Sequence, residues 1–513
     1  MGKLTDKVAK GVFWVLMEKF GIQLAHFVVT LVLARLLTPD DYGTVALLSI
    51  FITLSNLLVD SGFAKALVQR KNATQTDYNS VFYLSMAIAV VLYVVLFFAA
   101  PFVARFYGVP ELKIMLRILA LSLIFHSING VQNVELNRKM LFKLSFRVSW
   151  AKVIVSSVTG VVLAIAGYGP WALVFSSLAG GVIGVVARQL VIKWRPSLTF
   201  SWKSIGELYG FGWRIAASSF LTRGYNELYG LLIGKFYARA DLAFVRKGAH
   251  VPRVVRGLAE GTLARVSFPA LSRLQDDPRR LCRAMRKMIR CSTFMVMPMM
   301  TILAVVAEPL VFALFGSRWL PAVPYLRIAC IGGAAAPFIS INTQALIARG
   351  RSDIFFRIMV VYRILGLVIM ATSLSFGVMV FYLANVFFTS VFGIAVWAAP
   401  NRRYLGYSMA QQLDDLWPSV FLSAVAGFVS MAVLAIPSAC GMGTVQFRAC
   451  VFVPGAAMGL AAYISIAFAM RCRPLGEMAL AVLPMARKKS VIGLRVIEKV
   501  VERCGAGRGG ARR

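Results

Sequence analysis

Apolar stretches of roughly 20 residues recur along almost the whole chain, and each could cross a hydrocarbon layer of about 30 Å. One such stretch could be a buried helix of a soluble protein; fourteen in series could not. Only 15% of the 513 residues are charged and 59% are hydrophobic, at a mean hydropathy of +0.74, which leaves too little polar surface for a soluble fold. Reading the runs between breakers places spans at 11–34, 42–64, 80–104, 114–135, 148–167, 170–192 and 209–234. They continue at 243–268, 291–315, 323–348, 354–376, 377–399, 417–437 and 449–470. The expected fold class is all-α integral membrane, with about 14 transmembrane helices. The seventh and eighth spans are the unusual ones, because each carries several charges.

The net charge of +35 could suggest a nucleic-acid partner, but no folded module carries it as a patch. Lysine and arginine sit in the breaks between apolar runs, as in loops facing anionic lipid. With the N-terminus inside and the spans alternating, 37 basic residues fall on the cytoplasmic side and 7 outside, so both termini are predicted to be cytoplasmic. The location expected is the inner membrane, with membrane lipids as partners and no nucleic acid. The first apolar run lacks a small-residue cleavage site and leads into further spans, so it does not read as a cleavable signal. The seven cysteines form no CxxC pair and no metal spacing; Cys440 and Cys450 flank one short external loop and could pair.

The predicted outer loops are short, as at Gly167–Pro170 and Pro437–Gly443, and none could hold a soluble catalytic domain. Beyond Arg471 the chain is basic, and Val491, Leu494, Ile497 and Val501 recur at helical spacing. That segment reads equally as an amphipathic helix on the inner leaflet or as a disordered basic tail.

A six-span unit occurs twice. Ala64-Lys65-Ala66 matches Ala264-Arg265-Val266, and Arg35 matches Lys235. PFVARFYG from Pro101 resembles PLVFALFG from Pro309, LRIL from Leu116 resembles LRIA from Leu326, and Phe146-Arg147 matches Phe356-Arg357. The matches keep their order while the offset drifts slowly. Units six spans apart share membrane orientation, so the expectation is two parallel six-helix bundles around a central cavity plus two extra helices. The boundaries are 1–205 and 206–405 for the bundles, 406–473 for the two extra helices and 474–513 for a basic cytoplasmic tail.

Twelve basic residues fall within or close to spans, and seven of them lie in the seventh and eighth: Arg214, Arg223, Arg246, Lys247, Arg253, Arg256 and Arg265. A charge in hydrocarbon costs at least about 2.5–3.5 kcal/mol, so each should face water or a partner. Arg246, His250, Arg253 and Glu260 share one helical face, with Arg256 a turn after Arg253; Arg223 and Glu227 are an i, i+4 pair beside Asn226. Glu18, Lys19, Gln23 and His26 form a polar stripe in the first span. The fourth span adds Asn129, Gln132, Asn133 and Glu135, and the tenth adds Asn342 and Gln344.

One reading makes these internal salt bridges and interhelical hydrogen bonds. The other makes Arg214, Arg223, Asn226, Arg246, His250, Arg253 and Arg256 the lining of a cationic cavity for a polyanionic headgroup. Arginine suits a phosphate because its fork donates two charge-assisted hydrogen bonds. Glu18, His26, Glu227 and Glu260 are then the coupling or pairing residues. The chain has three histidines, and no HExxH, Walker A or zinc spacing appears, so neither catalysis nor a metal or other cofactor is expected.

Three segments carry a resemblance: LARLLTPDDYGTVAL at Leu33–Leu47, DSGFAKALVQRKNATQTDYNSVF at Asp60–Phe82 and FPALSRLQDDPRRL at Phe268–Leu281. The chain resembles the polysaccharide-synthesis branch of the multidrug/oligosaccharidyl-lipid/polysaccharide exporter superfamily, above all its lipopolysaccharide and exopolysaccharide repeat-unit flippases. The similarity runs over roughly residues 5–400. The family's LGxYxRA-like segment reads LAFVRKG at Leu242–Gly248 and keeps the basic place at Arg246. The resemblance implies two six-span bundles around a cavity and alternating-access flipping of undecaprenyl-diphosphate-linked oligosaccharides, driven by an ion gradient. It also implies polysaccharide polymerase or export proteins as possible partners. A cation-coupled multidrug exporter is the alternative among transporters, although there buried acids should outnumber buried bases. A membrane polymerase or ligase of lipid-linked glycans is the alternative among enzymes, although it calls for a large outer loop. A structural scaffold would have no need of arginines in its spans.

Overall fold

The computed structural model describes residues 21–60, 67, 74–138, 141–192, 195–272, 274, 277–439, 445–488 and 500–502. All regular structure among them is helical. Helices α1 (Gly21–Leu36), α2 (Pro39–Asp60), α3 (Gln75–Tyr107), α4 (Leu112–Ala120) and α5 (Ser122–Arg138) come first. They are followed by α6 (Phe142–Ile165), α7 (Pro170–Val191), α8 (Trp202–Phe236) and α9 (Arg239–Ser272). Next come α10 (Pro278–Val305), α11 (Ala307–Phe315), α12 (Val323–Ala348), α13 (Ser352–Ser373), α14 (Val378–Phe387) and α15 (Gly393–Leu405). The last three are α16 (Met409–Ala439), α17 (Val445–Ala469) and α18 (Arg473–Lys488).

Eleven helical segments among the described residues are long and apolar enough to cross a membrane, which makes this a multi-pass membrane protein. They coincide with eleven of the fourteen predicted spans. Span 1 is described only over the 16 residues of α1. Spans 7 and 8 correspond to α8 and α9, of 35 and 34 residues. These two are long enough to cross, but their charges hold them outside the apolar class.

Helix ends explain much of the distinctive sequence. At the start of α2, Thr38 Oγ1 accepts from the Asp41 amide (3.2 Å) while Asp41 Oδ2 accepts from the Thr38 amide (2.9 Å), a reciprocal cap with Pro39 in the first turn. Thr74 and Asp77 repeat that cap at α3. One turn on, Asn79 Nδ2 donates to Ser197 Oγ and Thr199 Oγ1 (both 2.6 Å), and the Ser201 amide donates to Ser80 Oγ (2.9 Å). The linker into α8 is thereby tied to α3. Asp277 caps α10, accepting from the Arg280 and Arg279 amides at 3.0 Å, with Pro278 next to it. These two amides, with the nearby arginines, hold its carboxyl below the usual carboxylate range.

Equivalent ends recur at the repeat spacing. α1 and α8 end at Leu36 and Phe236, and α2 and α9 begin at Pro39 and Arg239, each pair 200 residues apart. Asp241 Oδ2 accepts from the Ala238 amide just as Asp41 does from Thr38. Gly108 and Gly316, after α3 and α11, both take positive φ (67° and 90°), which suits the glycine that ends each of the two matching segments.

The chain forms two compact units, Met1–Ala243 and Phe244–Arg513. The division falls inside α9, whereas the sequence boundary was drawn at 205/206. The reason is that α8 packs on α2 and α3. A Cβ at Gly234 would overlap the Leu47 side chain, and one at Gly43 would overlap the Arg239 carbonyl oxygen. Lys235 Nζ donates to the Phe106 carbonyl (2.5 Å) and lies over the Phe106 ring.

Each unit has its own apolar clusters. In the first, Leu33, Leu37, Ala164 and Ala172 join α1, α6 and α7, and Val81, Val131, Val134 and Ile205 join α3, α5 and α8. In the second, Leu281, Met285, Ile289, Phe338, Ala398, Tyr407 and Leu416 knit α10, α12, α15 and α16 together. The two extra helices α16 and α17 are therefore not peripheral. Tyr463 OH of α17 donates to the Phe294 carbonyl of α10 (2.8 Å), and Arg286 of α10 pairs with Asp415 of α16 (2.8 Å). The helix found in the tail is α18, whose Glu477 meets Arg290 of α10 (3.4 Å); it lies upstream of the residues 491–501 picked out by sequence. Val491, Leu494 and Ile497 lie outside the described residues, as does Cys440, so the Cys440–Cys450 pairing does too.

Candidate functional site

α9 carries the densest set of the predicted residues. Arg246, His250 and Arg256 are half-buried and Arg253 is exposed. Lys247 on the same helix is 8% exposed, held over the Phe315 and Trp319 rings at 5.2 and 5.1 Å. Gly248 makes that seat possible, because a Cβ there would press on the Ala322 carbonyl, the Leu326 amide and Tyr325. The helix can thus approach the start of α12 closely. Arg246, Lys247 and Arg256 each make a polar, ring or electrostatic contact within the protein. Arg253 has neither a hydrogen bond nor an ion pair among the described residues; its electrostatic neighbours are His250 and Tyr382.

On α8, in the first unit, Arg223 and Asn226 are exposed and likewise without a hydrogen bond or ion pair, while the half-buried Glu227 has a partner. Arg223 and Glu227, although spaced i, i+4, therefore form no ion pair with each other. The side chains of Arg214 and Glu260 fall outside the described residues, although α8 and α9 run through both positions, and Glu18 lies outside them altogether. His26 is exposed on α1.

The polar residues of the fourth span find partners that the sequence reading did not assign. Arg188 of α7 donates to Asn129 Oδ1 (2.5 Å) and to Asn133 Oδ1 (3.2 Å) of α5. Lys152 of α6 lies within electrostatic range of both Arg188 and His26. Arg188 had been assigned to a cytoplasmic loop by its place near a span end, and Lys152 is a single charge in an apolar run. The signal that could have joined them was Gly180 and Gly184, spaced four residues apart on the face that ends in Arg188. In the second unit, Asn342 Oδ1 accepts from Asn401 Nδ2 (2.7 Å), so this amide pair joins α12 to α15. Among the described residues no group of His, Cys, Asp and Glu could hold a metal ion.

Residues 32–324 match the polysaccharide biosynthesis protein family. Teichuronic acid biosynthesis protein TuaB of Bacillus subtilis is 23% identical over 361 residues, covering 69% of this chain and 74% of TuaB. Lipopolysaccharide biosynthesis protein WzxC of Escherichia coli is 22% identical over 439 residues, covering 84% of this chain and 88% of WzxC. Succinoglycan biosynthesis transport protein ExoT of Rhizobium meliloti is 25% identical over 63% of this chain and 66% of its own. Among solved structures, the lipid II flippase MurJ in an inward closed conformation superposes at a TM-score of 0.70, with 12% identity, over 89% of this chain and 99% of that one. An inward-facing multidrug transporter of the MATE family follows at 0.57, with 12% identity, over 77% and 96%. The long charged helices, the repeat and the capped motifs thus sit on a fold shared with solved transporters, and the chain belongs to the polysaccharide biosynthesis protein family.

Proposed function

We propose that this protein flips undecaprenyl-diphosphate-linked oligosaccharide repeat units across the inner membrane, by alternating access, for lipopolysaccharide or exopolysaccharide synthesis. The observation that carries the proposal is that Arg223 and Arg253 stand exposed, with no hydrogen bond or ion pair among the described residues, on helices of membrane-crossing length. An unpaired guanidinium at that depth is costly unless water or an anion meets it, and a diphosphate offers the acceptors that its fork requires. The roles of the relatives in teichuronic acid, succinoglycan and lipopolysaccharide biosynthesis add support. MurJ adds a fold that moves another lipid-linked cargo. The protein acts as a transporter rather than an enzyme, and both its termini face the cytoplasm. Glu18, His26, Glu227 and Glu260 couple an ion gradient to the movement.

The test is the leaflet distribution of lipid-diphosphate-linked oligosaccharide in cells lacking the gene. Accumulation on the cytoplasmic side, relieved by the intact gene but not by Arg253→Ala or Arg223→Ala, is the expected result, with both variants still inserted. Accumulation of unpolymerised units on the outer side would point to a polymerase or ligase. No accumulation would favour a drug exporter.

A further inference from the structure

The first unit holds a second set of cations that the α8 and α9 arginines do not account for. Lys152 lies ten residues into α6, about 15 Å from its first residue at 1.5 Å per residue, and its side chain is exposed. A second cation, Arg188, is within electrostatic range, and so is the imidazole of His26. Among the described residues Lys152 has no hydrogen bond and no ion pair. Like charges placed together at that depth repel, and such an arrangement is stable only when an anion or water joins them.

The surroundings are shaped for this seam. Gly180 and Gly184 lie on the face of α7 that ends in Arg188. A Cβ at Gly180 would sit 3.5 Å from Lys152 Cγ, and one at Gly184 would sit 3.4 Å from Arg188 Nη1. Both cationic stems therefore lie along a strip cleared of side chains. Asn129 and Asn133 hold the Arg188 fork in place, as an arginine must be held to present a rigid pair of donors. Between them on α5, Gln132 is 1% exposed, and neither atom of its side-chain amide has a hydrogen-bond partner among the described residues. A buried amide left unmet costs about 1–3 kcal/mol.

We propose that Lys152 and Arg188, with the amides of α5, form a phosphate-binding subsite inside the N-terminal unit, which takes the diphosphate of the lipid-linked substrate. This rests on the flippase reading. It adds a second station for the same headgroup, separate from Arg253. Arg188 lies three residues from the end of α7 that is predicted to be cytoplasmic, and Lys152 lies deeper. The headgroup would meet the arginine first and the lysine next.

The test uses the full chain in nanodiscs of phosphatidylcholine and measures binding of radiolabelled undecaprenyl diphosphate. Lys152→Gln should weaken binding at least tenfold, Lys152→Arg should restore it, and undecaprenol, which lacks the phosphates, should not compete in either case. Arg188→Gln, with the same elution profile as the intact protein, should show a similar loss. Unchanged affinity in Lys152→Gln, alongside tight binding by the intact chain, would overturn the subsite and leave the flippase reading standing. Competition by phosphatidylglycerol at matching concentration would assign the cations to a membrane headgroup and overturn the substrate subsite. No binding by the intact chain would remove both.

Discussion

Arg253 and Arg246 lie two turns apart on α9, yet their circumstances differ: one is exposed and unpaired, the other partnered. Helical spacing put both on one face, but spacing carries no information about which arginine a neighbouring helix will absorb. Single residues matter equally where no side chain is present. Gly43 lies against the Arg239 carbonyl oxygen, and a backbone atom cannot turn aside as a side chain could. Gly43→Ala should therefore force α2 away from the start of α9 and cost about 1–3 kcal/mol, the usual range for overpacking. Gly130→Ala on α5 is the control, because a Cβ there meets nothing within 4 Å. Thermal unfolding of the purified proteins checks this: a lower Tm for Gly43→Ala with Gly130→Ala unchanged or higher is expected, and equal Tm values would refute the close approach.

At the scale of helices, the motifs that carried the family resemblance turn out to be devices for starting helices and tying linkers. Thr38 and Asp41 cap α2, Thr74 and Asp77 cap α3, and Asp277 caps α10. None of these residues is among the proposed substrate contacts. The fold was legible because hydropathy, caps and repeat spacing are local properties, written within a few residues of where they act. The site was legible only in part. Arg223, Asn226 and Arg253 stand out in the sequence because they break an apolar pattern. The Arg188–Asn129–Asn133 cluster was missed because it is assembled from helices 55 and 59 residues apart, and nothing local marks the encounter. The same holds for Asp415, which accepts from Arg286 Nε (2.8 Å), from Arg286 Nη2 (3.1 Å) and from Tyr407 OH (2.6 Å). Asp415→Asn keeps the shape and removes the charge, and should cost about 1–3 kcal/mol, since Asp415 is 9% exposed and its partner only partly so. A double-mutant cycle with Arg286→Gln should show that the two losses do not add; strict additivity would mean that the pair contributes nothing as a pair.

For the whole molecule, the repeat suggests that twelve spans should suffice, and that α16 to α18 are an addition. The second unit argues otherwise, and the reason lies in what a membrane does to each kind of contact. Stripping an apolar face of its neighbour costs little there, because lipid tails replace the lost side chains almost equally well. Polar contacts have no such substitute. Removing everything after Leu405 would take Asp415 and Tyr407 from Arg286, Glu477 from Arg290, and the Tyr463 hydroxyl from the Phe294 carbonyl, all of them on α10. Two arginines on one helix would be left without their carboxylates. The shortened chain should therefore insert and then aggregate, seen as loss of the monodisperse peak in size-exclusion chromatography in mild detergent. The same chain carrying Arg286→Leu and Arg290→Leu should recover part of that peak, because neither leucine needs a partner in lipid. Recovery would locate the requirement for α16 to α18 in the charges of α10. A shortened chain that runs as cleanly as the full one would mean that α10 does not depend on the last three helices.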